Sequence, residues 1–285
     1  MKVSAFTFIK NGHILGYPFL QSIQSILPIV DEFVINVGLG EDETLSTIKS
    51  IKSPKIKIIQ SIWNENMNNK GYIYGQQKMI AQYSCSGDWL FYIEGDELYH
   101  EKDLDHILEA MHKYKDAQEV EALAFKFHHF YGNRNSVLNS PGWYRSEARI
   151  IKSSIRSYAP DGLFWVVLEK NRKGRYPKAK LLDIFCYHYG WVRNENQMNL
   201  KSKKVSKYWG KKETKIDYSQ MDQKIITNFN GTHPSAIKTW LPKDNTPFIA
   251  DPNYQLTFKQ KKHRLMLKIE SFLSLDMSKK HYIKI

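Results

Sequence analysis

Asp88-Trp89-Leu90-Phe91-Tyr92-Ile93-Glu94-Gly95-Asp96-Glu97-Leu98-Tyr99-His100-Glu101 is the stretch on which the fold turns. Trp89 to Ile93 is a continuous apolar run, which predicts a strand buried on both faces. A knot of carboxylates begins where that strand ends. In an open parallel sheet, ligands bind in the crevice at the carboxyl ends of the strands. Glu94 and Asp96, separated by Gly95, can both point at one hard cation. Mg²⁺ or Mn²⁺ takes a few carboxylate oxygens and fills the rest of its shell with diphosphate oxygens. The competing reading is an acidic turn leading into the helix that starts near Lys102.

The residues before this stretch alternate strand and helix. Val3 to Ile9 predicts a first strand, broken by Lys10-Asn11-Gly12-His13. Phe19 to Leu27 predicts a helix stopped at Pro28. Glu32 to Val37 and Lys55 to Gln60 predict two more strands. Asp42 or Thr44 caps a helix carried by Leu45, Ile48 and Ile51, and Gln76 to Tyr83 predicts another. Such alternation argues for an α/β sheet with mostly parallel strands, flanked by helices. No Gly-x-Gly-x-x-Gly follows the first strand and no Walker lysine loop is present, which argues against dinucleotide and P-loop chemistry.

After the acids, Leu104 to Tyr114 predicts a helix and Glu121 to Phe127 a strand. Residues 128 to 146, rich in aromatics, Asn and Gly, read as a long loop across a binding face. Ala148 to Ile151, Leu163 to Leu168 and Leu181 to Tyr189 read as strands. Composition shifts toward Lys, Asn and Gln from about 194. The expected organisation is a catalytic domain over 1–200 and a small, basic, mostly helical extension over 201–285.

The chain has 285 residues, is 42% hydrophobic and carries a net charge of +13. That composition supports a sizeable core and excludes wholesale disorder. No apolar run approaches the roughly 20 residues that span a bilayer, and no signal peptide is expected. Two cysteines, Cys85 and Cys186, suit a reducing compartment, a single bridge between them being the alternative, and lack zinc-site spacing. The positive charge leaves nucleic acid, an anionic membrane surface and anionic substrates as candidate partners. In the tail, Lys201, Lys203, Lys204, Lys207, Lys211 and Lys212 form a dense cluster. Leu265, Ile269, Phe272 and Leu273 fall on one helical face beside Lys261, Lys262, Arg264 and Lys268. The favoured expectation packs that stripe on the catalytic domain; the alternative lays it in a lipid interface.

The ordered set of motifs resembles the family-two-like glycosyltransferases of the GT-A fold, in a bacterial branch. It includes the acidic stretch, Asn11-Gly12, Asp31-Glu32-Phe33-Val34, Glu41-Asp42-Glu43-Thr44 and Phe130-Tyr131-Gly132. It continues through Trp143-Tyr144-Arg145, Ala148-Arg149-Ile150-Ile151 and Tyr187-His188-Tyr189-Gly190-Trp191-Val192-Arg193, over roughly the first 195 residues. The resemblance implies transfer of a sugar from a nucleotide-sugar to an acceptor hydroxyl, with Mn²⁺ or Mg²⁺ as cofactor. It places Glu94 and Asp96 in the Asp-x-Asp position, with Asp96 the main ligand. Asn11 and Asp42 match positions that hold the nucleotide, and Gln77 a polar position in the helix before the acidic strand. It makes His188 a third metal ligand; the alternative is a histidine satisfied within the Tyr187, Tyr189 and Trp191 cluster. Arg193 either offsets diphosphate charge or lies on the surface.

Inverting transfer needs a base for the acceptor hydroxyl. Asp161 ranks first, before an expected acceptor-side turn, with Glu147 and Glu169 next; Glu147 can instead pair with Arg149. Trp63, Trp143 and Trp165 can stack on sugars or fill the core. The first acid is Glu where the family has Asp, and the family's base-contacting Asp falls near Val37, so a uridine or guanosine donor stays open. The expected setting is bacterial surface glycan synthesis in the cytoplasm or at the inner membrane face, with a glycan or lipid-linked acceptor. The alternatives are a basic nucleic-acid-binding protein, a glycoside hydrolase working through paired carboxylates, and an inactive GT-A sugar-binding module.

Overall fold

A computed structural model describes residues 1–171, 173–243 and 248–285. The chain opens with β1 (Val3–Ile9), α1 (Phe19–Ile26), β2 (Glu32–Gly38), α2 (Thr44–Lys49), β3 (Ile56–Ser61), α3 (Tyr72–Tyr83) and β4 (Trp89–Tyr92). β1 pairs in parallel with β2 and β4, and β2 with β3. Every residue of β2 and β4 is buried, as expected of strands covered on both faces. Trp89 and Phe91 join the core under α1, while Leu90 and Tyr92 join the opposite core with Ala81 of α3. Each such side chain contributes roughly 1.5–3 kcal/mol by leaving water.

Beyond the acidic turn come β5 (Glu97–Tyr99), α4 (Leu104–Tyr114), β6 (Ala122–Tyr131), β7 (Ser136–Leu138) and β8 (Ser146–Lys152). Here the sheet changes sense, because β8 lies antiparallel to both β4 and β6. β9 (Ser157–Tyr158), β10 (Val166–Leu168) and β11 (Gly174–Arg175) make a small separate sheet. β12 (Lys178–Trp191) then runs parallel to β6 and antiparallel to β5. The outcome is the mixed, helix-flanked α/β sheet that the sequence implied, parallel through its first four strands.

Two expectations are corrected. Residues 128–131 belong to β6, because β12 pairs beside them, His128 with Tyr187 and His129 with His188. The chain after residue 200 is also woven into the body. Residue 200 lies inside α5 (Glu195–Val205), β13 (Ile226–Asn228) pairs with β7, and among the described residues α6 (Phe258–Leu273) is the only long helix that follows. β14 (Ile283–Lys284) adds to β12. Tyr282 hydroxyl bonds Ser146 at 2.8 Å, which pins the tail beside β8. The apolar stripe of α6 does not pack on the body; Leu265, Ile269, Phe272 and Leu273 are exposed.

Candidate functional site

The strand ends of β1 and β4 open onto a cleft of about 870 Å³. β1 runs out into Lys10 and Asn11, and β4 into Glu94, Gly95 and Asp96. β12 brings in His188 and Trp191, the turn before β8 brings Trp143 and Tyr144, and α5 brings Lys201, Lys203 and Lys204. Trp63, Tyr74, Tyr208 and Trp209 form an aromatic wall, with rings 5.5–5.8 Å apart. Asn11 takes a left-handed backbone (φ 55°), which Asn tolerates better than most residues. Its Oδ1 accepts the Glu41 N–H at 2.8 Å and ties the end of β1 to the loop after β2.

Asp96 and His188 meet at the cleft floor, with Nε2 3.7 Å from Oδ1. The tautomer of His188 follows from its neighbours. His129 Nε2 lies 2.7 Å from the Tyr144 carbonyl, which can only accept, so the Nε2 carries the proton. Burial pushes the pKa of both histidines down, and that of His129 well down. Neutral His129 therefore offers a bare Nδ1, and His188 Nδ1–H donates to it at 2.9 Å. The Nε2 lone pair of His188 is left facing the Asp96 carboxylate. Two acceptors face each other, an arrangement that a cation between them satisfies. A metal-ligating histidine characteristically donates its other N–H in this way.

Burial opposes the charge on Asp96, yet Lys201 and Arg193 beside it hold its carboxyl well below the usual range. Arg193 Nη2 lies 3.2 Å and Lys201 Nζ 3.6 Å from Oδ2. Both cations also sit over the Tyr17 ring, at 4.4 and 4.8 Å. Oδ1 thus faces the imidazole and Oδ2 the cations. Lys204 pairs with Glu41 at 3.1 Å, and Lys10 and Lys207 both pair with Glu65. Each of these cleft lysines is thus paired with an acid.

Glu94 lines the cleft but does not join Asp96 and His188. Its carboxylate turns to Arg149 Nη2 at 3.3 Å, and among the described residues no group of three His, Cys, Asp or Glu could hold a metal. Burial and the neighbouring Glu97 carboxylate push the Glu94 carboxyl up. Arg149 is fully buried and grips Glu97 with Nε at 2.9 Å and Nη2 at 2.7 Å. It is the extra residue of a bulge: β6 Leu123 pairs with Ile150 and Ala124 with Ala148, leaving Arg149 unpaired. A bulge re-aims a side chain, so Arg149 parts company with Glu147 despite standing two residues away.

Several other expected residues have different work. Asp42 takes the N–H of Ile14 and of Thr44, and the Thr44 hydroxyl, bracing the loop rather than lining the cleft. Gln77 is buried within the sheet interface, where its Oε1 accepts from Asn36 at 2.9 Å and Ser61 at 2.5 Å. Glu147 is bound by His281 at 2.5 Å, and Glu169 pairs with Arg175 on the small sheet; neither lines the cleft. Asp161 does not line the cleft itself but directly precedes the lining residues Gly162 and Leu163, and accepts the Leu163 N–H at 2.7 Å. Burial raises its carboxyl pKa. Trp143 lines the cleft, Trp165 is core, and Trp63 belongs to the aromatic wall.

Sequence reasoning missed His129, Lys78 and the reach of Lys201 and Lys204 into the cleft. Lys78 is fully buried, with Nζ 3.8 Å from the Tyr92 ring and 4.1 Å from the Trp165 ring, and its pKa is driven down by that burial. The helical face it shares with Tyr74 and Ala81 is apolar, a usable signal that such a lysine points inward.

Fold and cleft together define an α/β protein with a cation-walled cleft at the carboxyl ends of its strands. No family model matches the chain, and no curated protein matches it. Among solved structures it is similar to TarS of S. aureus, at 14% identity and a TM-score of 0.41, over 72% of this chain and 40% of that one. It is similar to mannosyl-3-phosphoglycerate synthase from Rubrobacter xylanophilus at 17% identity and a TM-score of 0.33, covering 45% and 41% of the two chains. Glucosyl-3-phosphoglycerate synthase from Mycobacterium tuberculosis, solved with Mn²⁺ and UDP-glucose, matches at 15% and 0.31, covering 46% and 43%. The chain spans less than half the length of each.

Proposed function

We propose that this chain is a GT-A-type glycosyltransferase that moves a sugar from a nucleoside diphosphate donor to an acceptor hydroxyl. The observation that carries the reading is the His188 Nε2 placed 3.7 Å from the Asp96 carboxylate on the floor of a lysine-walled cleft. Asp96 and His188 fit a divalent cation as two of its ligands, the open kind of site that leaves positions for diphosphate oxygens and water. When bound, Mn²⁺ or Mg²⁺ neutralises charge on the departing nucleoside diphosphate.

The chain's own residues do the rest. Lys201 and Lys204 exchange Asp96 and Glu41 for donor phosphates, and Arg193 keeps Asp96 ionised while doing so. The aromatic wall of Trp63, Tyr74, Tyr208 and Trp209 offers faces for the nucleotide base. Trp143 and Tyr144 close the other side, where a sugar ring can stack. Asp161 takes the proton of the acceptor hydroxyl, its raised pKa making it a stronger base than an ordinary carboxylate. Attack then displaces the diphosphate in one step with inversion. The donor is uridine- or guanosine-linked, and the acceptor a glycan or lipid-linked glycan in bacterial surface polysaccharide synthesis, met at the inner membrane face.

The test is calorimetric binding and hydrolysis of a panel of UDP- and GDP-sugars with Mn²⁺. Binding is expected for at least one donor, is lost in Asp96→Asn, and survives in Glu94→Gln. If no donor binds and Asp96→Asn changes nothing, the reading fails. Loss of metal affinity in Glu94→Gln would instead restore Glu94 as a ligand.

A further inference from the structure

α6 is turned inside out relative to an ordinary surface helix. Two of its charged residues face the protein: Arg264 grips Asp222 with two nitrogens at 2.6 and 2.9 Å. Glu270, the helix's single acid, is buried and takes both Nη atoms of Arg145 at 2.9 Å. Most of its apolar residues face out, Met266 and Leu267 being partly buried. Phe258 is 85% exposed, Leu265 59% and Phe272 87%, and the stripe continues through Leu273, Leu275 and Met277. Spacings of seven, four and three along Phe258, Leu265, Ile269 and Phe272 put them on one face. Lys259, Lys261, Lys262 and Lys268 flank that stripe, all exposed.

We propose that α6 lies in the surface of an anionic lipid bilayer and holds this protein there. Phe and Leu side chains set among lysines are the composition of a helix that seats its apolar face at the headgroup boundary. The lysines select anionic headgroups, and the one acid that would oppose them is turned inward. A second copy of the chain fits poorly, since a two-fold contact through this face sets like charges opposite one another. No helix of the described residues is long and apolar enough to cross a membrane, so the contact is peripheral. The placement is also productive. The His263 ring abuts Gly142, and Leu267 packs against the same apolar cluster as Trp143 and Trp191, so α6 backs the loop that carries Trp143 and Tyr144 into the cleft. A lipid-linked acceptor would arrive from that side. The docking itself stands on α6 and does not depend on the donor chemistry.

The full chain is mixed with phosphatidylcholine vesicles, with or without phosphatidylglycerol, and sedimented at low and high salt. Binding is expected with phosphatidylglycerol, weakening as salt rises. The double variant L265S/F272S is expected to lose it at least tenfold, and each of Lys261→Gln and Lys262→Gln to lose about fivefold. These residues lie outside the cleft, so melting temperature and soluble donor binding should match the wild type. That control separates failure of docking from failure of the transferase reading. No sedimentation at low salt, or equal binding by L265S/F272S, overturns the proposal. So does light scattering that shows a dimer dissolved by the same variant.

Discussion

His129 Nδ1 and His188 Nδ1 lie 2.9 Å apart, buried between β6 and β12. One proton serves both rings, and the Tyr144 carbonyl decides which ring holds it. If His188 holds a cation as proposed, His129 is the residue that orients it. His129→Phe keeps the ring contacts with Phe127 and Tyr144 but strands the His188 Nδ1–H. Loss of such a partner characteristically costs 10- to 100-fold in metal affinity. Mn²⁺ titration followed by electron paramagnetic resonance should show that loss, with the melting temperature little changed.

Arg149 and Glu97 form a fully buried ion pair beneath the acidic turn. Glu97 also accepts the Glu94 N–H at 3.2 Å, so the pair holds the turn that presents Asp96. Arg149→Leu leaves Glu97 charged in a dry site, which costs about 3–5 kcal/mol. Removing both charges, as R149L/E97L, should recover most of that loss. Urea unfolding midpoints of the two variants provide the comparison. A single variant as stable as the double one would mean that water reaches Glu97.

Part of the acid sensitivity should come from Glu32. Its carboxylate accepts from Ser4, Lys57, and Ser86 N–H and hydroxyl, joining β1, β2, β3 and the turn before β4. Burial opposes its charge, but these donors hold its pKa down at about 2. The folded pKa lies below the unfolded one. The stabilisation is therefore whole above about 4.5 and is lost as pH falls toward 2. At 1.36 kcal/mol per pKa unit it amounts to at most about 3 kcal/mol. Glu32→Gln should be less stable at pH 6 by up to that amount and show a flatter decline between pH 5 and 2.5 in urea unfolding.

Much of the frame was legible because burial on both faces leaves a plain mark. β1, β2 and β4 read as apolar runs, and the acids at the end of β4 lie on the cleft wall. Asp96 and His188, both singled out from their positions, do stand side by side at the cleft floor. What stayed hidden depends on register between distant strands. His129 meets His188 only because β6 and β12 pair across 59 residues, and Arg149 leaves Glu147 only because a bulge falls between them. Glu94 looked like a partner of Asp96 because two residues of spacing carry no information on which cation each acid will find. The shift to lysine near 194 looked like a domain edge. In three dimensions it marks the cationic wall of the cleft, where charge is needed and apolar periodicity vanishes.

Lys201 gives that reading its sharpest consequence. Its Nζ lies 3.6 Å from Asp96 Oδ2 and over the Tyr17 ring, so in the free protein it competes with any cation for the carboxylate. In the donor complex it is proposed to hold phosphate instead. Lys201→Ala should therefore act in opposite directions on the two ligands. Metal affinity should hold or rise, since a competing positive charge has gone. Donor affinity should fall roughly tenfold, the scale of one hydrogen bond to a charged group, and its salt dependence should flatten because one fewer cation faces the diphosphate. Calorimetry with Mn²⁺ alone, then with the nucleoside diphosphate at low and high salt, separates the two. A parallel fall in both affinities would show that Lys201 merely supports the fold around Asp96.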